Sequence, residues 1–146
     1  MMSLLFRPTM IAMTVGLALV AAPAMAATMK FTGDLTATAV VPPSASKATG
    51  KADVTLDTVT KKLTWLITYK GLTDKATAAH FHGPAAVGVN AGPVVPITGA
   101  LVSPINGTAT LTDKQIADLE AGKWYVNVHT AKYPDGEIRG QVVVAK

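Results

Sequence analysis

The 146-residue chain has no cysteine. That absence excludes disulfides as a source of stability and thiolate as a metal ligand or nucleophile. Aromatic residues make up 5% of the chain, and only three histidines occur, so imidazole chemistry of any kind must use those three. Charge is sparse as well. The net charge of +4 is spread along the sequence, and Lys61-Lys62 is the sole adjacent basic pair. Nucleic-acid binding concentrates Lys and Arg along one surface, so a pI near 9.4 reads here as a solvated surface and nucleic acid is not expected as a partner.

Long hydrophobic runs are missing after residue 26. Nothing there approaches the ~18 apolar residues of a membrane span, so the mature chain is expected to have none. Ahead of that point the sequence has the parts of a signal peptide: Arg7 as a basic start, an uncharged run from Met10 to Val20, and the small-x-small site Ala24-Met25-Ala26. Cleavage is predicted before Ala27, giving a signal peptide over 1–26 and export to the periplasm or the exterior. An uncleaved anchor is the competing reading; the run is short for a span, and Pro23 interrupts its end. No cysteine follows to take a lipid. The remaining 27–146 suffices for one domain with a core, but not for two.

Alternation of period two dominates that domain. Phe31, Leu35, Ala37 and Ala39 share a parity in a run from Met29 to Val41, which Pro42-Pro43 ends. Ala52, Val54 and Leu56, then Leu63, Trp65, Ile67 and Tyr69, predict a hairpin turning over Thr58–Lys62. Ser44–Gly50 reads as a surface loop. A third run covers Ala76–His82, and Pro93–Ile97 is a short edge strand because its prolines confine it to an edge. Gly107–Leu111, Trp124–Thr130 and Glu137–Val144 complete the strands, the last two joined through Pro134-Asp135-Gly136. Thr112 with Gln115 three residues on opens the one helix, about two turns long, with Gly122 at its C-terminal end. Seven or eight short strands and one short helix predict an all-β, antiparallel Greek-key sandwich or barrel, with Trp65 and Trp124 in its core.

All three histidines fall on strands. His80 and His82 are two apart, so they project from one face with Cα atoms ~6.5–7 Å apart, while Ala79 and Phe81 face the core. His129 closes a polar row with Tyr125 and Asn127, opposite Trp124, Val126 and Val128. The returning strand offers Glu137, Arg139 and Gln141 on one parity, which antiparallel pairing sets beside that row, with Glu137 near His129. Tyr125, Asn127, Glu137 and Arg139 are therefore the candidate supports of a metal site at His80, His82 and His129. Three neutral imidazoles suit copper or zinc, with copper preferred; scarce carboxylates argue against calcium and magnesium. The competing reading makes the histidines structural, with His80 and His82 bonded to loop carbonyls and Glu137 and Arg139 as a same-face ion pair. Nucleophilic catalysis has little support, since Ser44, Ser46 and Ser103 lack a G-x-S-x-G context.

Several motifs together resemble a known family. They are Leu35-(x)₄-Val40-Val41-Pro42-Pro43, Gly71-Leu72, Ala79-His80-Phe81-His82-Gly83-Pro84-Ala85, Gly122-(x)₂-Tyr125-Val126-Asn127-Val128-His129-Thr130 and Tyr133-Pro134-x-Gly136-Glu137-Ile138-Arg139-Gly140-Gln141. They look like those of a CHRD (chordin-type) domain. The resemblance spans nearly all of 27–146. It implies an extracytoplasmic β-fold of the kind found in chordins, where it accompanies binding of growth-factor ligands, and in exported bacterial proteins. More loosely, the histidine pattern resembles the copper side of Cu/Zn superoxide dismutases. Only His80, His82 and His129 carry over. The bridging histidine, zinc cluster and cysteine pair of that design have no counterpart here.

Three functions follow as expectations. One is a carrier of a single transition metal for metal handling or redox protection. Another is a metal-free module that binds an envelope or extracellular protein or polymer through the loop at Ala85–Thr98. The last is a small mononuclear metalloenzyme acting on superoxide or peroxide.

Overall fold

The computed structural model describes residues 27–146, so the expected signal segment lies outside the described residues. The domain consists of β1 (Thr28–Thr36), β2 (Thr49–Asp57), β3 (Lys62–Lys70), β4 (Ala76–His82), β5 (Pro93–Pro96), β6 (Ile105–Thr110), α1 (Asp113–Glu120), β7 (Trp124–Thr130) and β8 (Ile138–Val144). All eight strands join one antiparallel sheet in the order β5-β4-β7-β8-β1-β2-β3-β6. The sheet curls into a nearly closed barrel. The non-sequential pairs β4–β7, β8–β1 and β3–β6 are the crossovers that an all-β fold of this kind requires. β5 is at an edge, as its two prolines dictate.

Alternation explains the core. Ala52, Val54 and Leu56 of β2 face inward with Leu63, Trp65 and Ile67 of β3, and the two strands pair with Val54 opposite Trp65. The hairpin between them closes on Asp57, whose Oδ1 accepts from the amides of Val59 and Thr60, while Lys61 takes a left-handed φ of 58°. Phe81 of β4 meets Trp65 edge-on at 5.3 Å and Trp124 at 5.9 Å, so both tryptophans are in the core. Thr112 caps α1 in a reciprocal capping box with Gln115, and Leu119 is the helix residue driven into the core. The C-cap itself is Ala121. Gly122 follows it at φ 67°, the left-handed turn that ends the helix.

Some boundaries differ from the sequence reading. β1 ends at Thr36, not Val41, because the Thr36 hydroxyl accepts from the Ala39 amide and Val40 N–H bonds to Ala37 C=O, winding the chain into a turn. Ala37 and Val40 are nonetheless buried. Their hydrophobicity belongs to a packed turn and not to a strand. β2 begins at Thr49, inside the expected loop, and β6 starts at Ile105, where Ile67 of β3 pairs with it.

β7 is the strand on which the site is built. It lies between β4 and β8, and six of its seven residues are buried. Trp124, Val126 and Val128 face the barrel interior. The outward row of Tyr125 and Asn127 is buried too, because the 83–92 loop folds back over it. Side chains of the sheet hold that loop by its backbone. Gln141 donates to the Ala85 carbonyl, Arg139 to the Val89 carbonyl, and Tyr125 bonds both the amide and the carbonyl of Ala91.

Candidate metal centre

Pairing of β4 with β7 sets His80 opposite Asn127 and His82 opposite Tyr125, with His129 opposite Ala78. The three histidines therefore come from two adjacent strands and share the outward face. One potential ligand nitrogen from each lies within 4.8 Å of the other two. His80 Nδ1 is 3.4 Å from His129 Nε2. Two nitrogens bound at ~2.0–2.1 Å to a tetrahedral ion stand roughly 3.4 Å apart, so this pair already has the spacing of a chelate.

The unused nitrogens explain how the rings are held. His82 Nδ1 lies 2.9 Å from the Ala91 carbonyl and His129 Nδ1 lies 2.8 Å from the Pro134 carbonyl. A carbonyl accepts only, so both Nδ1 atoms carry the proton and both Nε2 atoms keep a free lone pair. His82 Nε2 is buried and has no hydrogen-bond partner. An orphaned acceptor of this kind costs free energy in a folded protein unless something answers it. An ion bound at ~2 Å needs less room than a water molecule, so an ion could answer that lone pair where water does not reach.

Electrostatics favour the form that binds metal. Burial, then the charge of neighbouring His129, lowers the pKa of His80. Burial is also the leading cause at His82; the Ala91 carbonyl opposes it, and His80, His129 and Arg139 add to it. Both rings are thus kept neutral, as ligation requires. A cavity of about 370 Å³ adjoins the cluster, lined by His82, His129, Tyr125, Asn127, Val41 and Pro134 among others. A fourth coordination position would open towards it.

The four expected supporting residues divide. Tyr125 stacks on His82, ring planes 5° apart and centroids 4.9 Å apart. Arg139 covers the Tyr125 ring with its guanidinium carbon 3.5 Å from the centroid. Asn127 donates to the Asp135 carbonyl, in the turn that also supplies Pro134 to His129. Glu137 is the exception. Its carboxylate accepts from Ser46 Oγ, from the Thr73 amide and hydroxyl, and from Thr130 Oγ1; none of these partners is a histidine. Glu137 precedes β8, so strand parity does not reach it, and its side chain joins the face of Thr130 instead of that of His129. No Glu137–Arg139 ion pair forms either: the guanidinium donates to Asn90 Oδ1 at 2.9 Å and to the Val89 carbonyl at 2.7 Å.

Sequence reasoning missed Ala91, Pro134 and Asn90. Two of these act through backbone carbonyls, which leave no trace in residue type. Asn90 sits in a run of loop residues whose fold-back over β7 is a long-range event. The expectation that His80 and His82 bond loop carbonyls holds for His82 and not for His80, whose described partner is His129; His129 bonds a loop carbonyl in its place, and each such bond uses only one of the two ring nitrogens.

A family model for the CHRD domain matches residues 31–142, a span that takes in all three histidines and every residue named here as holding them. No curated protein and no solved structure matches the chain.

Proposed function

The chain belongs to the CHRD domain family, and we propose that this member is an exported protein that holds one transition-metal ion, copper, between His80, His82 and His129. The observation that carries the reading is the buried, partnerless Nε2 of His82 within a cluster whose ligand nitrogens all lie within 4.8 Å of one another. A set of neutral imidazole nitrogens suits copper or zinc and is unsuited to calcium or magnesium, which take oxygen. Copper held there would supply either a transportable ion or one-electron chemistry, which fits metal handling or redox protection. The chain's own residues keep the His82 and His129 rings in the correct tautomer through Ala91 and Pro134, and burial favours the deprotonated form of His80 and His82.

Elemental analysis of the purified protein tests the proposal. About one copper or zinc per chain is expected, falling to background in a His80→Ala/His129→Ala double variant. Undiminished stoichiometry in that variant would rule out this ligand set. Superoxide or peroxide turnover by the loaded protein and not by the metal-free form would make it an enzyme; equal rates would leave it a carrier.

A second reading has one observation in its favour. Val87 and Val89 are 79% and 52% exposed in the loop above the site, so that loop offers apolar contacts to an envelope or extracellular protein. On that reading the protein is a metal-free binding module. It shows no affinity for copper or zinc, and partner binding is lost when the loop is shortened.

A further inference from the structure

Arg139 is a buried cation without a counter-ion. It is 2% exposed, and its described partners, Asn90 Oδ1 and the Val89 carbonyl, are both neutral acceptors. The three salt bridges among the described residues all lie elsewhere, on Lys51, Lys61 and Lys114. A charge buried without an opposite charge is expensive, and it acts strongly on whatever lies near it in the same poorly solvated region.

What lies near it is the metal cluster. The guanidinium carbon is 3.5 Å from the Tyr125 ring centroid, and that ring is stacked 4.9 Å from His82. Because β7 is between β4 and β8, the Tyr125 ring is flanked by His82 from one strand and Arg139 from the other. The apolar body of the tyrosine excludes water from the line between the positive charge and the ligand.

Among the described residues, no carboxylate is in contact with the guanidinium or with the three rings. The Nδ1 atoms of His82 and His129 are bonded to carbonyls, where many metal sites place carboxylates that raise ligand basicity. The Glu137 carboxylate keeps its charge, but it bonds Ser46, Thr73 and Thr130 and touches neither Arg139 nor a histidine. Asp135 lines the cavity but is solvent-exposed, so its charge is screened.

Resting on the metal reading above, we propose that the His82–Tyr125–Arg139 stack makes the site selective for a monovalent ion, Cu(I), over the dications Cu(II) and Zn(II). Three neutral ligands leave the whole charge of the ion uncompensated, and a dication has one more unit to be repelled by Arg139. At a separation of ~10 Å and an effective dielectric constant of ~20, that unit changes affinity on the order of tenfold. Arg139 is thus a specificity determinant that touches no metal.

Chelator competition tests the inference, with Cu(I) measured anaerobically under ascorbate and Cu(II) and Zn(II) measured in separate titrations. The wild-type protein should bind Cu(I) more tightly than either dication. Arg139→Met should narrow that gap about tenfold, mainly by tightening the dications, and Arg139→Lys should preserve it because the charge remains. Zn(II) or Cu(II) affinity in the wild type equal to that for Cu(I) overturns the proposal, and so does a gap unchanged in a folded Arg139→Met. Should the methionine variant not fold, the wild-type comparison decides alone. Absence of affinity for all three ions would be a different failure, that of the metal site itself.

Discussion

His80 Nδ1 and His129 Nε2 stand 3.4 Å apart on adjacent antiparallel strands, close enough to share one proton or one metal ion. The choice is set by His129. Its Nδ1–H is committed to the Pro134 carbonyl, so its Nε2 only accepts, and without metal the His80 Nδ1–H can fill it. Metal binding displaces that proton to the other nitrogen of His80 without adding or removing charge on the ring. His82 has no such stand-in, which makes it the ring most in need of an ion.

The three histidines should therefore differ when removed. His80→Ala and His129→Ala take away partly exposed rings, so metal stoichiometry should collapse while the metal-free protein keeps its melting temperature within a few degrees. His82→Ala also strips the Ala91 carbonyl of one of its two donors and Tyr125 of its stacking partner, which should cost roughly 1–3 kcal/mol in the metal-free protein. Parallel elemental analysis and denaturant unfolding of the three variants check both halves.

The histidine environment also fixes a pH dependence. Burial first, and then neighbouring positive charge, holds His80 and His82 below the usual imidazole value of 6.5. The unfolded chain then takes up protons that the folded one refuses. Stability is full above about pH 6.5 and falls as the pH drops from there towards the folded values. The metal-free protein should show this decline in unfolding experiments, and His80→Ala should flatten it. Bound copper should protect against it, because the loaded rings cannot be protonated without releasing the ion.

Strand periodicity made most of this site legible. The i, i+2 spacing of His80 and His82, and the polar parity of Tyr125, Asn127 and His129, lead to the observed face because the side-chain period of a strand is fixed at two. Parity fails where the strand stops. Glu137 lies one residue before β8, and its side chain goes to Ser46, Thr73 and Thr130, partners as many as 91 residues away in sequence. The polar row on β7 and β8 was legible as polar but not as buried. A row of Tyr, Asn, Arg and Gln looks the same whether water or the backbone of the 83–92 loop satisfies it, and only the chain's long-range return decides. For the same reason Val40 reads as a strand residue and is found in a turn, since burial there is set by packing and not by local alternation.

Gly140 tests how tightly β8, the strand of Arg139, is held against β1. A Cβ built there would meet the Asp34 carbonyl oxygen, with the Asp34 carbon at 2.8 Å and the Leu35 nitrogen at 3.1 Å, all backbone atoms that no rotamer change can move. Gly140→Ala should force β8 away from β1 and cost roughly 1–3 kcal/mol or more. Because Arg139 is the preceding residue, metal selectivity should loosen along with stability. Thermal unfolding and the Cu(I)-to-Zn(II) affinity ratio, measured on the same variant, would show whether the two losses travel together.

Glu137 should behave as an acid-sensitive clamp, independent of the metal. Burial alone would raise its pKa, but hydrogen bonds from Ser46, Thr130 and Thr73 outweigh burial and hold the carboxyl below its usual 4.5. A depressed folded pKa means that its stabilisation is present above about pH 4.5 and is lost as the pH falls through the folded value. Glu137→Gln keeps the shape and removes the charge, leaving donors of Ser46, Thr73 and Thr130 facing an amide that accepts through one oxygen only. The cost at pH 7 should be roughly 1.5–3 kcal/mol, the range for hydrogen bonds to a charged group, and metal affinity should be unaffected. The decisive comparison is denaturant unfolding of wild type and variant at pH 7 and again near pH 3. The difference should shrink below about pH 4.5, where the unfolded wild-type chain takes up a proton that the folded carboxylate resists. A difference as large at pH 3 as at pH 7 would mean that the shape of the side chain, and not its charge, ties β8 to the loops of Ser46 and Thr73.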